Sequence, residues 1–292
     1  MPAPKSLAAN EARIQTPVRC QWGCGARPHL DEPRIVDGAV DRIDLNSDVG
    51  ESFGAWSIGD DQRLIPIVTS VNVACGFHAG DPLTIQRTVA TAVAHGVAVG
   101  AHPGYPDLVG FGRRDLDMAP DELEAALVYQ VGAVAAFARA AGSDLRHVKP
   151  HGALYNRAAR DPGLAATIAR AVRAVSSDLF LVGLAGSELV RAGEEARLQV
   201  ASEAFADRAY RPDGALRSRR LPDAMLVTPE AAADQAVRIA RDGVVPTANG
   251  GSIPVHADTL CIHGDTAGAV DVARAVREAL ERAGVQVVAF AS

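Results

Sequence analysis

The sequence predicts an α/β protein built as a closed or nearly closed (β/α) barrel of about seven parallel strands. Three observations predict it. Short β-type runs alternate with helical runs from residue 43 onward, which calls for parallel strands joined by crossover helices. The helical runs carry start and stop signals at their ends. Polar side chains also recur at the C-terminal end of one strand after another, where parallel barrels build their sites. At 292 residues, 48% of them hydrophobic and 22% charged, the chain fills a single domain of this type. An open doubly wound sheet is the runner-up, but no strand is followed by G-x-G-x-x-G and no G-x-x-x-x-G-K-[ST] occurs.

Residues 1–41 hold Pro2, Pro4, Pro17, Pro28 and Pro33 and no apolar period of either kind. They are expected to form a poorly ordered extension outside a barrel domain spanning 42–292. Cys20, Cys24 and His29 lack a fourth ligand nearby and make a poor zinc site. Strands are predicted at Ile43–Asn46, Ser70–Ala74, Val97–Ala101, His147–Lys149, Leu179–Leu184, Leu198–Ala201 and Leu260–His263. Between them, Asp81-Pro82 opens a helix ending at Gly96, Pro120-Asp121-Glu122 one ending at Gly142, and Asp161-Pro162 a third. Thr228-Pro229 opens one ending at Gly243, and Thr266 caps one ending at Gly284. There is no repeat of solenoid period.

A net charge of −6 argues against a nucleic-acid surface, which needs a clustered basic face. With no apolar run near the roughly 18 residues of a membrane span and no signal-peptide core, a cytoplasmic protein with no membrane partner is expected. Cys20, Cys24, Cys75 and Cys261 are too scattered for a disulfide framework and read as reduced thiols.

The chemistry is expected at the strand exits. Asp44, Asn46 and Asp48 share one face of the first strand because side chains alternate. Later exits offer His78, His102 with Tyr105, Lys149 with His151, Glu203, and His263. Three of the four histidines stand beside glycine or proline, and His78 lies two residues from Gly76 and Gly80. Together with Asp44 and Asp48 they either bind a divalent metal or do acid–base work without one; no H-E-x-x-H spacing decides between the two. Lys149 stands out because only it and Lys5 are lysine among 29 basic residues, so a compact charge is wanted there. Asp81 is better read as a helix cap than as a ligand, and Asp265 carries the same ambiguity. His95 suits a helix C-terminus. His147 and His256 read as core or surface residues, Cys261 as a buried apolar group, and Cys75 as a backbone position.

Five motifs occur in unbroken order: Ile43-Asp-Leu-Asn-Ser-Asp-Val-Gly-Glu51, Cys75-Gly-Phe-His-Ala-Gly-Asp81, Gly100-Ala-His-Pro-Gly-Tyr-Pro-Asp107, Lys149-Pro-His-Gly-Ala-Leu-Tyr155 and Glu203-Ala-Phe-Ala-Asp-Arg-Ala-Tyr210. Through them the chain resembles the LamB/YcsF family over about residues 43–290. Ser47 departs from the cysteine or threonine usual there, which argues against a thiol role at that position. The resemblance implies an irregular (β/α) barrel related to polysaccharide deacetylases. It also implies service as the A subunit of an ATP-dependent 5-oxoprolinase, in which two further subunits join the cleavage of 5-oxoproline to L-glutamate and ATP is bound largely through those partners. On that reading Asp44 or Asp48 is the general base, Asn46 positions the water, and Lys149 and His151 stabilise developing charge and protonate the departing nitrogen. Arg208, with Arg113 or Arg114, grips the substrate carboxylate, and His78, His102, Tyr105, Glu203 and His263 line the substrate. Two rivals stand beside it: a stand-alone metal-dependent deacetylase or amidase, and a non-catalytic subunit that only binds 5-oxoproline.

Overall fold

The structure is a computed structural model and describes residues 41–226, 228–266 and 268–291. The expectation for the N-terminal extension lies outside these residues. Seven parallel strands close into a ring: β1 (Arg42–Val49), β2 (Ser70–Ala74), β3 (Ala98–His102), β4 (Leu145–Val148), β5 (Phe180–Leu184), β6 (Gln199–Phe205) and, after a detour, β9 (Thr259–His263). The ring closes because β9 pairs with both β6 and β1. The detour is a short antiparallel hairpin of β7 (Val244–Pro246) and β8 (Ser252–Pro254), and a last strand, β10 (Gln286–Val287), pairs beside the start of β1. All seven predicted barrel strands are present, each within a few residues of its expected limits.

Helices α1 (Asp61–Leu64), α2 (Pro82–Ala94), α3 (Pro120–Ala140), α4 (Gly152–Ala158), α5 (Pro162–Val175), α6 (Glu188–Glu195), α7 (Pro229–Asp242) and α8 (Ala269–Arg282) follow the strands. Asp81 caps α2, its carboxylate accepting from the backbone N–H groups of Leu83 and Thr84, and Thr228 caps α7. The prediction fails at α8. Thr266 does not cap it; the helix starts at Ala269 behind Gly268, whose φ of 81° suits glycine. Asp265 is meanwhile drawn away onto arginines across the mouth. α3 is long and apolar enough to cross a bilayer, yet its buried face, including Leu123, Leu127, Val131 and Val134, packs on β3, β4 and α5.

The aliphatic core, such as Ile43, Leu45, Val71, Val73 and Leu260, lies between ring and helices. Inside the ring the side chains are polar instead of the branched aliphatic layers usual in such barrels. Buried polar groups cost free energy unless they are bonded, so this interior holds only because its members satisfy one another. Strand register stacks them in levels. Asp44 stands level with Thr259, Asn46 with Ser70 and Cys261, and Asp48 with Asn72 and His263.

Candidate active site at the barrel mouth

The lowest level is built on Asp44. Its carboxylate accepts from the hydroxyls of Thr69 (2.6 Å), Ser70 (2.8 Å) and Thr259 (2.5 Å). Burial pushes its pKa up to about 6 although those hydroxyls pull the other way.

Above it, Asn46 donates from Nδ2 to Glu203 Oε1 (3.0 Å) and Thr259 Oγ1 (2.7 Å). Asn72 donates to Asn46 Oδ1 (2.7 Å) and to Asp48 Oδ1 (2.9 Å). His147 lies here too, donating from Nε2 to Asn72 Oδ1 at 2.8 Å, and burial lowers its pKa to about 3. Lys149 joins this level to the next. Its ammonium reaches Glu203 Oε1 at 2.7 Å, Asp48 Oδ1 at 3.0 Å, Cys261 Sγ at 3.1 Å and Asn46 Oδ1 at 3.2 Å. Burial disfavours the charge, but the anionic neighbours, Asp48 first, outweigh it and hold the pKa well above the ordinary lysine value.

At the mouth, backbone carbonyls fix the imidazole tautomers. A carbonyl can only accept, so His102 Nδ1–H donates to Lys149 O (2.7 Å) and His151 Nε2–H donates to Phe111 O (2.8 Å). The remaining ring nitrogens, His102 Nε2 and His151 Nδ1, face each other at 3.0 Å, and Asp48 Oδ2 lies 3.3 Å from His102 Nε2. His102 Nε2, His151 Nδ1 and Asp48 Oδ2 thus converge on one point, which attracts a proton or a cation. Burial and the neighbouring imidazoles keep His151 well below its usual pKa. Burial also opposes a charge on Asp48, but His102 and Lys149 outweigh it and hold the carboxyl well below the usual range.

His78 stacks on His151 at 3.8 Å with both ring nitrogens buried and unpartnered. Glu51 Oε1 lies 3.9 Å from His151 Nδ1, and burial, with Asp48 and Asp265, pushes its carboxyl well above the usual range. On the far side His263 Nδ1–H donates to Asp207 (2.9 Å), and a ring nitrogen of His263 lies within 4.8 Å of Asp48 and Cys261 ligand atoms. Three such groupings of possible metal-ligating atoms occur among the described residues: Asp48, His102, His151; Asp48, Cys261, His263; and Glu51, His78, His151.

Asp48, His78, His102, Lys149, His151 and His263 therefore meet at the C-terminal end of the ring, with Asn46 and Glu203 just beneath. Asp44 sits a level lower, enclosed by hydroxyls. Tyr105 stands apart, buried with its hydroxyl beside Arg157 of α4. Arg113 lies over the Phe111 ring at the mouth, whereas Arg114 is committed to Asp107. Glu51, Asn72 and Asp207 escaped sequence reasoning as site residues. Alternation along β2 marks Asn72 as inward-facing, and Asp207 follows Glu203 at the same strand exit, so both signals were available.

A closed parallel ring whose mouth gathers a buried lysine, carboxyls and four imidazoles defines a (β/α) barrel protein with a cluster of titratable side chains at the C-terminal ends of its strands. The chain belongs to the LamB/YcsF family, whose model matches residues 43–292. A protein of Chloroflexus aggregans named as the A subunit of 5-oxoprolinase is 58% identical over 245 residues, 84% of this chain and 97% of that protein. A protein of the same name from Tolumonas auensis is 54% identical over 249 residues, 85% of this chain and 99% of that one. The crystal structure of the lactam utilization protein from Thermus thermophilus is 51% identical and superposes with a TM-score of 0.81, covering 85% of this chain and all of that one.

Proposed function

We propose that this chain is the lactam-opening subunit of an ATP-dependent 5-oxoprolinase, converting 5-oxo-L-proline to L-glutamate in the cytoplasm together with two further subunits. The observation that carries the reading is the convergence of Asp48, His102 and His151 lone pairs above a buried, charged Lys149. The names borne by relatives above 50% identity supply the substrate.

Water held among Asp48 Oδ2, His102 Nε2 and His151 Nδ1 gives a proton to the imidazoles as its oxygen attacks the lactam carbonyl carbon. Lys149 keeps Asp48 ionised and provides a fixed positive charge for the oxyanion. The C–N bond then breaks, the nitrogen takes a proton from the Glu51 carboxyl, and His151, 3.9 Å away, returns the proton to Glu51. Arg208 and Arg113 hold the substrate carboxylate, with His78 and His263 beside the ring. A five-membered lactam closes readily because amine and carboxyl are held together. Opening it is therefore coupled to ATP, for example by transfer of the γ-phosphoryl group to the lactam oxygen with release of ADP. The Lys149 charge then meets the phosphoryl oxygens, and phosphate leaves as the glutamate carboxylate forms. The chain has no nucleotide loop, so ATP is bound largely through the partners.

The same three atoms fit a divalent cation, because separations of 3.0 and 3.3 Å match neighbouring ligands on bonds of about 2.1 Å. Asp48, His102 and His151 would hold it, and when bound it would lower the pKa of a water. The deciding experiment assays glutamate formation from 5-oxoproline and ATP by this chain alone and with its partner subunits. Turnover only in the mixture, lost in Asp48→Asn, supports the proposal. Turnover by the lone chain without ATP points to a self-sufficient amidase, and a mixture indifferent to Asp48→Asn points to a non-catalytic role.

A further inference from the structure

The mouth is closed over the imidazoles by three segments that meet on one carboxylate. Asp265, on the turn after β9, bonds Arg113 Nη2 at 2.5 Å and lies 3.4 Å from Arg219 Nη1. Arg113 comes from the loop after β3 and lies over the Phe111 ring, which itself packs edge-on against His78 and His151. Arg219 comes from the long irregular excursion between β6 and α7, and that excursion also carries Arg208. Arg208 is buried, donates from Nη2 to Arg217 O at 2.7 Å, and leaves its Nε enclosed without a partner. Burial and the nearby Arg219 charge lower its pKa to about 10.

The guanidiniums at this lip are not fully met by acceptors. Arg113 and Arg219 share Asp265, and Asp207, beside Arg208, already serves His263 through both its ring and its backbone N–H. Glu51, the other carboxyl nearby, lies 3.9 Å from His151 Nδ1 and makes no ion pair with these arginines among the described residues. The Arg208 Nε–H is buried without an acceptor, and an unmet buried guanidinium N–H is costly. His78, His102 and His151 are each 3% exposed or less, so a small molecule reaches them only if these segments part.

We propose that Asp265 is an internal stand-in for the ligand's carboxylate: it clasps Arg113 and Arg219 while the site is empty, and an incoming monoanionic ligand takes over the guanidiniums, releasing the loop and opening the mouth. The identity of that ligand as 5-oxoproline rests on the function proposed above; the exchange itself does not. A planar guanidinium accepts one carboxylate in place of another without rearrangement, so exchange costs little and selects against uncharged lactams.

The test is calorimetric binding of three probes to the full chain: 5-oxoproline, 2-pyrrolidinone, which is the same ring without the carboxylate, and acetate. Asp265→Asn and Asp265→Ala remove the internal competitor, and thermal unfolding confirms that they fold. Both should bind 5-oxoproline and acetate about tenfold or more tighter than wild type, with 2-pyrrolidinone unchanged, while Arg219→Gln weakens the two anions by a similar factor. Unchanged or weaker anion binding in both Asp265 variants, or equal tightening of all three probes, overturns the exchange. If acetate tightens while neither lactam binds any variant, the exchange stands and the lactam assignment falls.

Discussion

Lys149 ties two levels of the buried polar network together through one side chain. Its ammonium sits among two carboxylates, an amide oxygen and a thiol, all within 3.2 Å and shut off from water. A guanidinium carries five N–H groups in a rigid plane, so Lys149→Arg displaces the charge and leaves donors unpaired. Lys149→Arg is expected to lower turnover of the reconstituted complex by about a hundredfold, roughly 2.7 kcal/mol of barrier, while circular dichroism stays native. Retention of more than about half the wild-type rate would return the residue to a structural role. Asp44 makes a prediction of opposite kind. Its folded pKa, about 6, lies above the ordinary 3.8, so protonation favours folding. That contribution is full below pH 3.8 and is lost as pH rises through about 6, a change of up to about 3 kcal/mol. Asp44→Asn cannot titrate, so the stability gap between wild type and variant should narrow as pH rises from 4 to 7 in urea unfolding. A gap independent of pH would show that Asp44 does not titrate there.

At the scale of elements, the ring's polar interior demands room as well as partners. Gly100 of β3 faces the His147 ring, and a Cβ there would stand 2.0 Å from Nε2, which is bonded to Asn72. Neither ring nor strand can yield, so Gly100→Ala should cost about 3 kcal/mol in denaturant unfolding. Adding His147→Ala should recover part of that loss, and strictly additive effects would rule out the clash. Much of this level was legible in advance. The seven barrel strands announce themselves because each is apolar on its helix-facing side and bounded by turn residues, and helices opening with Asp-Pro or Thr-Pro carry their own caps. What was not legible depends on distant partners. The short α1 and α4 contain too few residues to express a period, and the start of α8 is set by Asp265 pairing across the mouth. In the site, alternation located Asp44, Asn46 and Asp48 on one face, yet could not reveal that the first is sealed in hydroxyls while the last meets the imidazoles. Arg113 and Arg114, adjacent in sequence, part company for the same reason: one lies at the mouth, the other on Asp107.

For the whole molecule, what matters is which stretch of chain closes the ring. Parallel strands close only when first and last pair, and here β9 joins β1 along Asp44–Asp48, so residues from β1 onward contain every strand pairing of the barrel. β10 then covers the entry to β1 at Arg42 and Ile43. The family match begins at residue 43, and the Chloroflexus aggregans relative aligns over 97% of its own length with 84% of this chain, so the first forty residues lie outside the family match. They also lack the apolar periodicity needed to add to a core. A fragment of residues 41–292 is therefore expected to remain soluble, to unfold within about 1 kcal/mol of the full chain, and to support the same turnover with the partner subunits. Because the site residues fall between Asp44 and Asp265, lost turnover with unchanged stability would place a partner-binding function in the extension, whereas insolubility or a large drop in unfolding free energy would mean that it is integral to the barrel.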